Sequence, residues 1–492
     1  MAGALPLAKA LAGGRAPQDG SQSVVEGYAY PGSGQAGEKI GLFVSTSAPR
    51  YAVEIARIGA RREVVWAKKD LPGKSFPVPP DASTHGCGWP AALEIEIPAN
   101  WKTGYYSVEL RSHSVTGSSS AENAVAGEAF FVVRSKTPGR DTKILLQLAT
   151  NTYNAYNDWG GSSLYVGGEE PLQGARVSFE RPLPPGFLSK PAGKLNRWSP
   201  YAGWHNWERA FVEWAEGAGY RLDYAINSDL EFHPEILERY RLVLSVGHDE
   251  YWSRPMRDHL EAFITQGGNV AFLSGNTCYW QVRSENGGRA LVGYKQRYKD
   301  DPYYKSKRYD ELSTLWSNHL VKRPENELTG VSFNYGGYHR FRSVPRGAGA
   351  YTIHRPEHWV FEGTDLKWGD LLGAKENIVG YECDGCDFTL EDGLPVPTHR
   401  DGTPVGFKIL GTAPASGWDN EIAFAAKSLF GDDASAEDRA RLGRGAAVMG
   451  TYSRGGTVFT TGCTEWSRGL ERGNPLVERI TRNLLDRLSG PE

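Results

Sequence analysis

Between residues 143 and 275 short apolar runs alternate with stretches of helical period, and few folds accommodate that alternation. The runs are KILLQLAT (143–150), YRLDYAI (220–226), YRLVLSVG (240–247) and NVAFLSG (269–275). Two stretches among them, WERAFVEWAEGA (207–218) and RPMRDHLEAFITQG (254–267), place apolar residues three and four apart. Strand alternating with helix builds an α/β domain, a mostly parallel sheet covered by helices on both faces.

The chain ahead of this region reads differently. GEKIGLFVST, RYAVEIARIG, AALEIEI, GYYSVELRS and EAFFVVR alternate in period two and are separated by turn residues. An all-β, immunoglobulin-like sandwich over 22–134 is therefore predicted, after an amino-terminal segment (1–21). SKTPGRD (135–141) reads as a linker, and the α/β domain runs over 142–492. Past residue 285 the pattern is irregular. At 492 residues the chain exceeds the size at which one core stops growing, so two or three domains fit.

Charge narrows the function classes. With 55 Lys and Arg against 58 Asp and Glu, the net charge is −3 and no dense basic stripe is present, so nucleic acid is not expected as a partner. No apolar run reaches the ~20 residues that span a bilayer, and the amino terminus lacks the apolar core of a secretory signal. Five scattered cysteines fit a reduced compartment, so a cytoplasmic location is expected.

Ligands of an open α/β sheet bind outside the carboxyl ends of its strands. The strand ends here run into TNTYNAYNDWGGSSLY (150–165), GHDEYW (247–252) and GNTCYW (275–280). They deliver Tyr153, Tyr156, Tyr165, His248, Asp249, Glu250, Asn276 and Cys278 towards one crevice. The bland alternative makes the aromatics interface residues and His248 or Asp249 a helix cap.

The set TYNAYN, SLY, GHDEYWS and FLSGN resembles the catalytic domain of the N,N-dimethylformamidase large-subunit family, over roughly residues 143–485. The resemblance implies a glutamine-amidotransferase-like domain and a mononuclear Fe3+ held by two tyrosines and one glutamate. On the matching positions these are Glu250, Tyr165 and either Tyr153 or Tyr156. It further implies His248, Asn276, Lys295 and Glu382 around the metal, a small formamide-type amide as substrate, and assembly as an oligomer that includes a separate small subunit. The tyrosine motifs stand closer together here than in the family enzyme, and the sandwich in front looks different. Phenolate and carboxylate are hard donors suited to a hard trivalent cation, and three protein ligands leave positions open for water and a carbonyl. His248 and Asn276 then orient water or an oxyanion, Glu382 moves a proton and Lys295 steadies negative charge.

Rival readings use the same residues. A cysteine amidase would employ Cys278 or Cys463 with His248 as base, but neither NTCYW nor TGCTEW has the small-residue frame of a nucleophile elbow. A carbohydrate-active or carbohydrate-binding protein would use Glu250 with Glu382 or Asp249 beside aromatic platforms. Cys383 and Cys386 have C-x-x-C spacing without the second pair that a structural zinc site needs, so they read as free thiols.

Overall fold

A computed structural model describes residues 25–112, 127–165, 174–189, 201–339 and 349–490; the amino-terminal segment 1–21 lies outside them. The amino-terminal part is all-β. One sheet joins Val25–Tyr30, Lys39–Thr46 and Leu93–Glu96; the other joins Ser33–Gly34, Gly127–Val133, Gly104–Ser112, Arg50–Ile58 and Arg62–Pro72. Alternate residues point inward, so Leu42 and Val44 of one sheet meet Ile55, Val108 and Phe131 of the other in one core. The strand pattern read from the sequence thus holds.

The larger part is built on a nine-stranded sheet in the order Asp223–Ile226, Ile144–Leu148, Leu242–His248, Asn269–Gly275, Gly456–Thr460, Ala446–Arg454, Lys408–Pro414, Tyr351–Ile353 and Leu371–Leu372. The first five strands run parallel. The remaining pairings are antiparallel, so the sheet is mixed where a mostly parallel one was expected. The reversal is local: the hairpin at Gly455, with φ of 78°, turns Ala446–Arg454 directly into Gly456–Thr460.

Helices cover both faces as the alternation predicts. Leu146, Leu244 and Leu273 pack with Phe211 of helix Glu208–Gly217 and Leu484 of helix Pro475–Ser489. On the opposite face Leu145, Val243 and Phe272 pack with Leu260 and Ile264 of helix Arg254–Thr265. That helix starts where it does because Ser253 accepts the Met256 amide at 3.4 Å and a proline occupies its first turn. No helix of the described residues is long and apolar enough to cross a membrane.

The two parts share a core. Tyr105 of the sandwich stacks on Trp204 with ring centroids 4.2 Å apart, and Phe130 meets Tyr153 edge-on at 5.8 Å. Beside them Arg57 donates to both oxygens of Glu216, at 2.6 and 3.1 Å. The same carboxylate accepts the Ala60 amide at 3.0 Å and the Tyr224 hydroxyl at 2.9 Å. Arg57→Leu would leave this mostly buried carboxylate without its cation and should cost about 2 to 4 kcal/mol in urea unfolding. The double replacement Arg57→Leu with Glu216→Leu should recover part of that loss.

Candidate active site

Three neighbouring parallel strands, Ile144–Leu148, Leu242–His248 and Asn269–Gly275, lead into residues that gather in one buried polar centre, joined there by Lys295 and Glu382. Parallel pairing sets His248 opposite Gly275, so His248 and Asn276 emerge side by side. Gly247 has φ of 83°, and a Cβ there would lie 2.5 Å from the Trp207 side chain, so only glycine lets the chain turn His248 inward at this point. Asn276 and Lys295 take left-handed backbone conformations without being glycine, with φ of 48° and 56°. Such strain concentrates where the surrounding structure over-determines a side chain's position.

Glu250 sits at the middle. Its oxygens accept the Tyr165 hydroxyl at 2.9 and 2.8 Å and the Trp280 indole at 2.7 Å, while its own amide donates to Thr152 Oγ1 at 2.9 Å. Tyr251 donates to the Tyr165 hydroxyl at 2.7 Å, and Lys295 Nζ donates to Tyr251 at 2.8 Å while lying 3.3 Å from the centre of the Tyr165 ring. Tyr156 packs on Tyr165 with centroids 4.3 Å apart. On the other side His248 Nε2 lies 3.4 Å from Glu250 and 2.8 Å from Glu382, which also accepts Asn276 Nδ2 at 3.1 Å. His248 Nδ1 faces the Tyr201 carbonyl at 2.8 Å; a carbonyl only accepts, so Nδ1 carries the hydrogen.

Burial governs the protonation states. It pushes the phenols of Tyr156 and Tyr165 well above their ordinary value, and the Glu250 carboxylate pushes them further. Burial also raises Glu250, against the pull of His248 and Lys295. Lys295 is brought down to about 7 by burial, opposed by Glu250 and Glu382. His248 would be lowered by burial alone, but Glu382 and Glu250 outweigh it and hold the imidazole at about 9.

The residues expected at one crevice therefore divide. Tyr156, Tyr165, His248, Glu250, Asn276, Lys295 and Glu382 come together. Tyr153 does not, since its hydroxyl donates to Glu208, which arrives from the helix Glu208–Gly217. Asp249 turns the other way onto Ser245 and Asn227, at 2.9 and 3.3 Å. Cys278 is packed in the apolar layer under the opposite face of the sheet, and burial raises its thiol far out of the nucleophilic range. Cys463 is likewise buried, is raised to about 11 by burial and donates to the Ile378 carbonyl, so no thiol is paired with His248. Cys383 faces Cys463 across a β-bridge while Cys386 lies in a different cluster, and all five cysteines are free. Among the described residues no group of three His, Cys, Asp or Glu side chains could hold a metal.

Sequence reasoning missed Tyr251, Trp280, Tyr381 and Asp384. Tyr251 follows Glu250, Trp280 stands two residues past Cys278 and Tyr381 precedes Glu382, and aromatic side chains gave no way of telling lining from core. Tyr381 meets His248 edge-on at 5.7 Å. Asp384 accepts the amides of Asn276 and Thr277 at 2.8 and 3.1 Å and so holds the strained turn.

The profile of the family described as N,N-dimethylformamidase beta subunit-like, C-terminal, matches residues 52–479. This chain belongs to that family. The dimethylformamidase-like match starts inside the sandwich, well before residue 143, so the resemblance extends further forward than the motifs indicated. An N,N-dimethylformamidase beta subunit of Paracoccus aminophilus is 24% identical over 455 residues, covering 81% of this chain and 54% of that protein. Its counterpart from an Alcaligenes species is 23% identical over 458 residues with the same coverage. The chain thus spans about half the length of these relatives. A family 123 glycoside hydrolase of Clostridium perfringens overlaps 53% of this chain and 46% of its own at 9% identity, and its TM-score of 0.10 bears on neither fold nor chemistry.

The division between Tyr153 and Tyr156 is measurable. Burial raises Glu208 to about 7, against the Tyr153 hydroxyl, so the stability tied to this carboxyl is present at acid pH and lost as pH rises from its unfolded value through 7. Removing the hydroxyl enlarges that loss. Tyr153→Phe should therefore cost about 1 to 3 kcal/mol at pH 8 and less at pH 5 in urea unfolding, whereas Tyr156→Phe should leave this pH dependence as in the wild type.

Proposed function

We propose that this chain is an amidohydrolase that cleaves the C–N bond of a small formamide-type amide, with Tyr156, Tyr165 and Glu250 holding a mononuclear Fe3+. The observation that carries the reading is the Tyr165 hydroxyl set against both oxygens of Glu250, at 2.9 and 2.8 Å, with Tyr156 packed on the same ring. The donors suit the ion. All three are hard oxygens, and both phenols are held so far above their ordinary value that a nearby cation is what would ionise them. Asn276 Oδ1, on the side chain whose Nδ2 donates to Glu382, is buried and has no hydrogen-bond partner among the described residues. When bound, the ion would supply Lewis acidity that activates water and polarises the amide carbonyl.

The chain's own residues supply the rest. Lys295 donates to Tyr251 and Tyr251 to Tyr165, a relay that steadies negative charge on the Tyr165 oxygen. His248, fixed at Nδ1 by the Tyr201 carbonyl, holds a proton at Nε2 between Glu382 and Glu250. Glu382 takes a proton from the attacking water and returns it to the leaving nitrogen. A C–O bond forms and the C–N bond breaks, giving an amine and a carboxylic acid, whose remaining proton passes to the released amine so that they depart as an ammonium and a carboxylate. Asn276, anchored to Glu382 at 3.1 Å, orients the water or the developing oxyanion. The seal around the centre, with Glu250 and Asn276 each 3% exposed, favours a small substrate and argues against a carbohydrate lying between two carboxylates. The larger part is proposed to have the glutamine-amidotransferase-like fold and the sandwich the immunoglobulin-like one, over the boundaries read from the sequence. The relatives are named beta subunits, which supports assembly with other chains.

Metal analysis and visible absorption test the site. Wild type should carry close to one iron per chain with a tyrosinate-to-iron band, and should release amine and formate from N,N-dimethylformamide or another small formamide. Tyr165→Phe and Glu250→Ala should lose both band and turnover. A colourless, metal-free and inactive wild type would sink the proposal.

A further inference from the structure

Arg181 is 2% exposed, and its nearest fixed neighbours are carbonyl groups. Its Nε donates to the Ser178 carbonyl at 3.0 Å, and Nη1 donates to the carbonyls of Trp159 and Ser162 at 2.6 and 3.1 Å. Nη2 reaches the carbonyls of Asn157 and Asn154 at 2.8 and 3.4 Å and the Asn154 side-chain oxygen at 3.4 Å. Four of these carbonyls belong to one stretch of chain, 154–162. That stretch begins in the last turn of helix Thr150–Tyr156 and ends three residues before Tyr165. A cation at a helix carboxyl end also meets the negative pole of the helix dipole.

We propose that Arg181 is a positioning residue for the tyrosine pair: its planar fork gathers the turn between Tyr156 and Tyr165 and thereby sets where the two phenol oxygens lie. The inference rests on the reading of these tyrosines as functional, but the clamp itself does not require it. A guanidinium presents five donors in a fixed fan, and here they span four peptide groups over nine residues; an ammonium on a flexible stem cannot do so. The turn has further ties of its own. Leu164 donates to the Ala155 carbonyl at 3.0 Å, and Asn157 Nδ2 donates to the Pro182 carbonyl at 3.0 Å, next to Arg181 itself. Loss of the fork should therefore loosen 154–165 without unfolding the sheet.

The test uses Arg181→Lys and Arg181→Ala in the full chain, read by hydrogen exchange of peptides covering 153–165 and, as an internal control, 269–275. Exchange over 153–165 should quicken about 10- to 100-fold in both variants while the control stays put. Arg181 lines a cavity of about 290 Å3, so added millimolar guanidinium can enter and should restore slow exchange in Arg181→Ala. Iron content and the tyrosinate band should fall with the loosening and return with guanidinium. Exchange over 153–165 that is unchanged in both variants overturns the clamp. Loosened exchange with wild-type iron, band and turnover overturns the positioning role. An iron-free wild type would refute the metal reading alone, leaving the exchange and its rescue to decide the clamp.

Discussion

The centre of this protein depends on a register. Leu242–His248 and Asn269–Gly275 pair in parallel so that His248 lies opposite Gly275, and a slip of one residue would send His248 to the other face of the sheet. Gly275 adds a second requirement, since a Cβ at that position would lie 2.6 Å from the Thr464 amide and 2.7 Å from the Glu382 carbonyl. Its bare backbone lets the segment carrying Glu382 close against the turn carrying Asn276. The contacts that join His248, Asn276 and Glu382 follow from those two facts.

What this register assembles is electrostatically costly. Two carboxylates, an imidazole and an ammonium are all nearly out of water, and none would be tolerated alone. Each answers another: Glu382 meets His248 and Asn276, while Glu250 meets Tyr165, Trp280 and, through two hydroxyls, Lys295. Removing one partner strands the others, so the set behaves as a unit and the effects of single replacements should not add.

Much of this was legible in the sequence and some could not have been. Strands at 144–148, 242–248 and 269–275 announce themselves as apolar runs, and the residues after them mark the crevice. The sheet's antiparallel half was hidden because its strands lie beyond residue 285, where apolar periodicity is weak and a two-glycine hairpin sets direction. The choice between Tyr153 and Tyr156 was hidden for a different reason. They stand three apart on one short helix, and what separates them is Glu208, which comes from another helix. Arg181 was invisible because it binds peptide carbonyls, which every sequence has.

The aromatic seam where Tyr105 lies flat on Trp204 has a bearing on how such proteins evolve. A domain joined only by a linker can be exchanged or shed between lineages, because each partner keeps a wettable surface. Here the sandwich covers apolar surface of its neighbour and supplies Phe130 against the helix that carries both Tyr153 and Tyr156. Neither part keeps a fully wettable surface without the other, so a substitution on the sandwich's inner face is felt in the other part's interior.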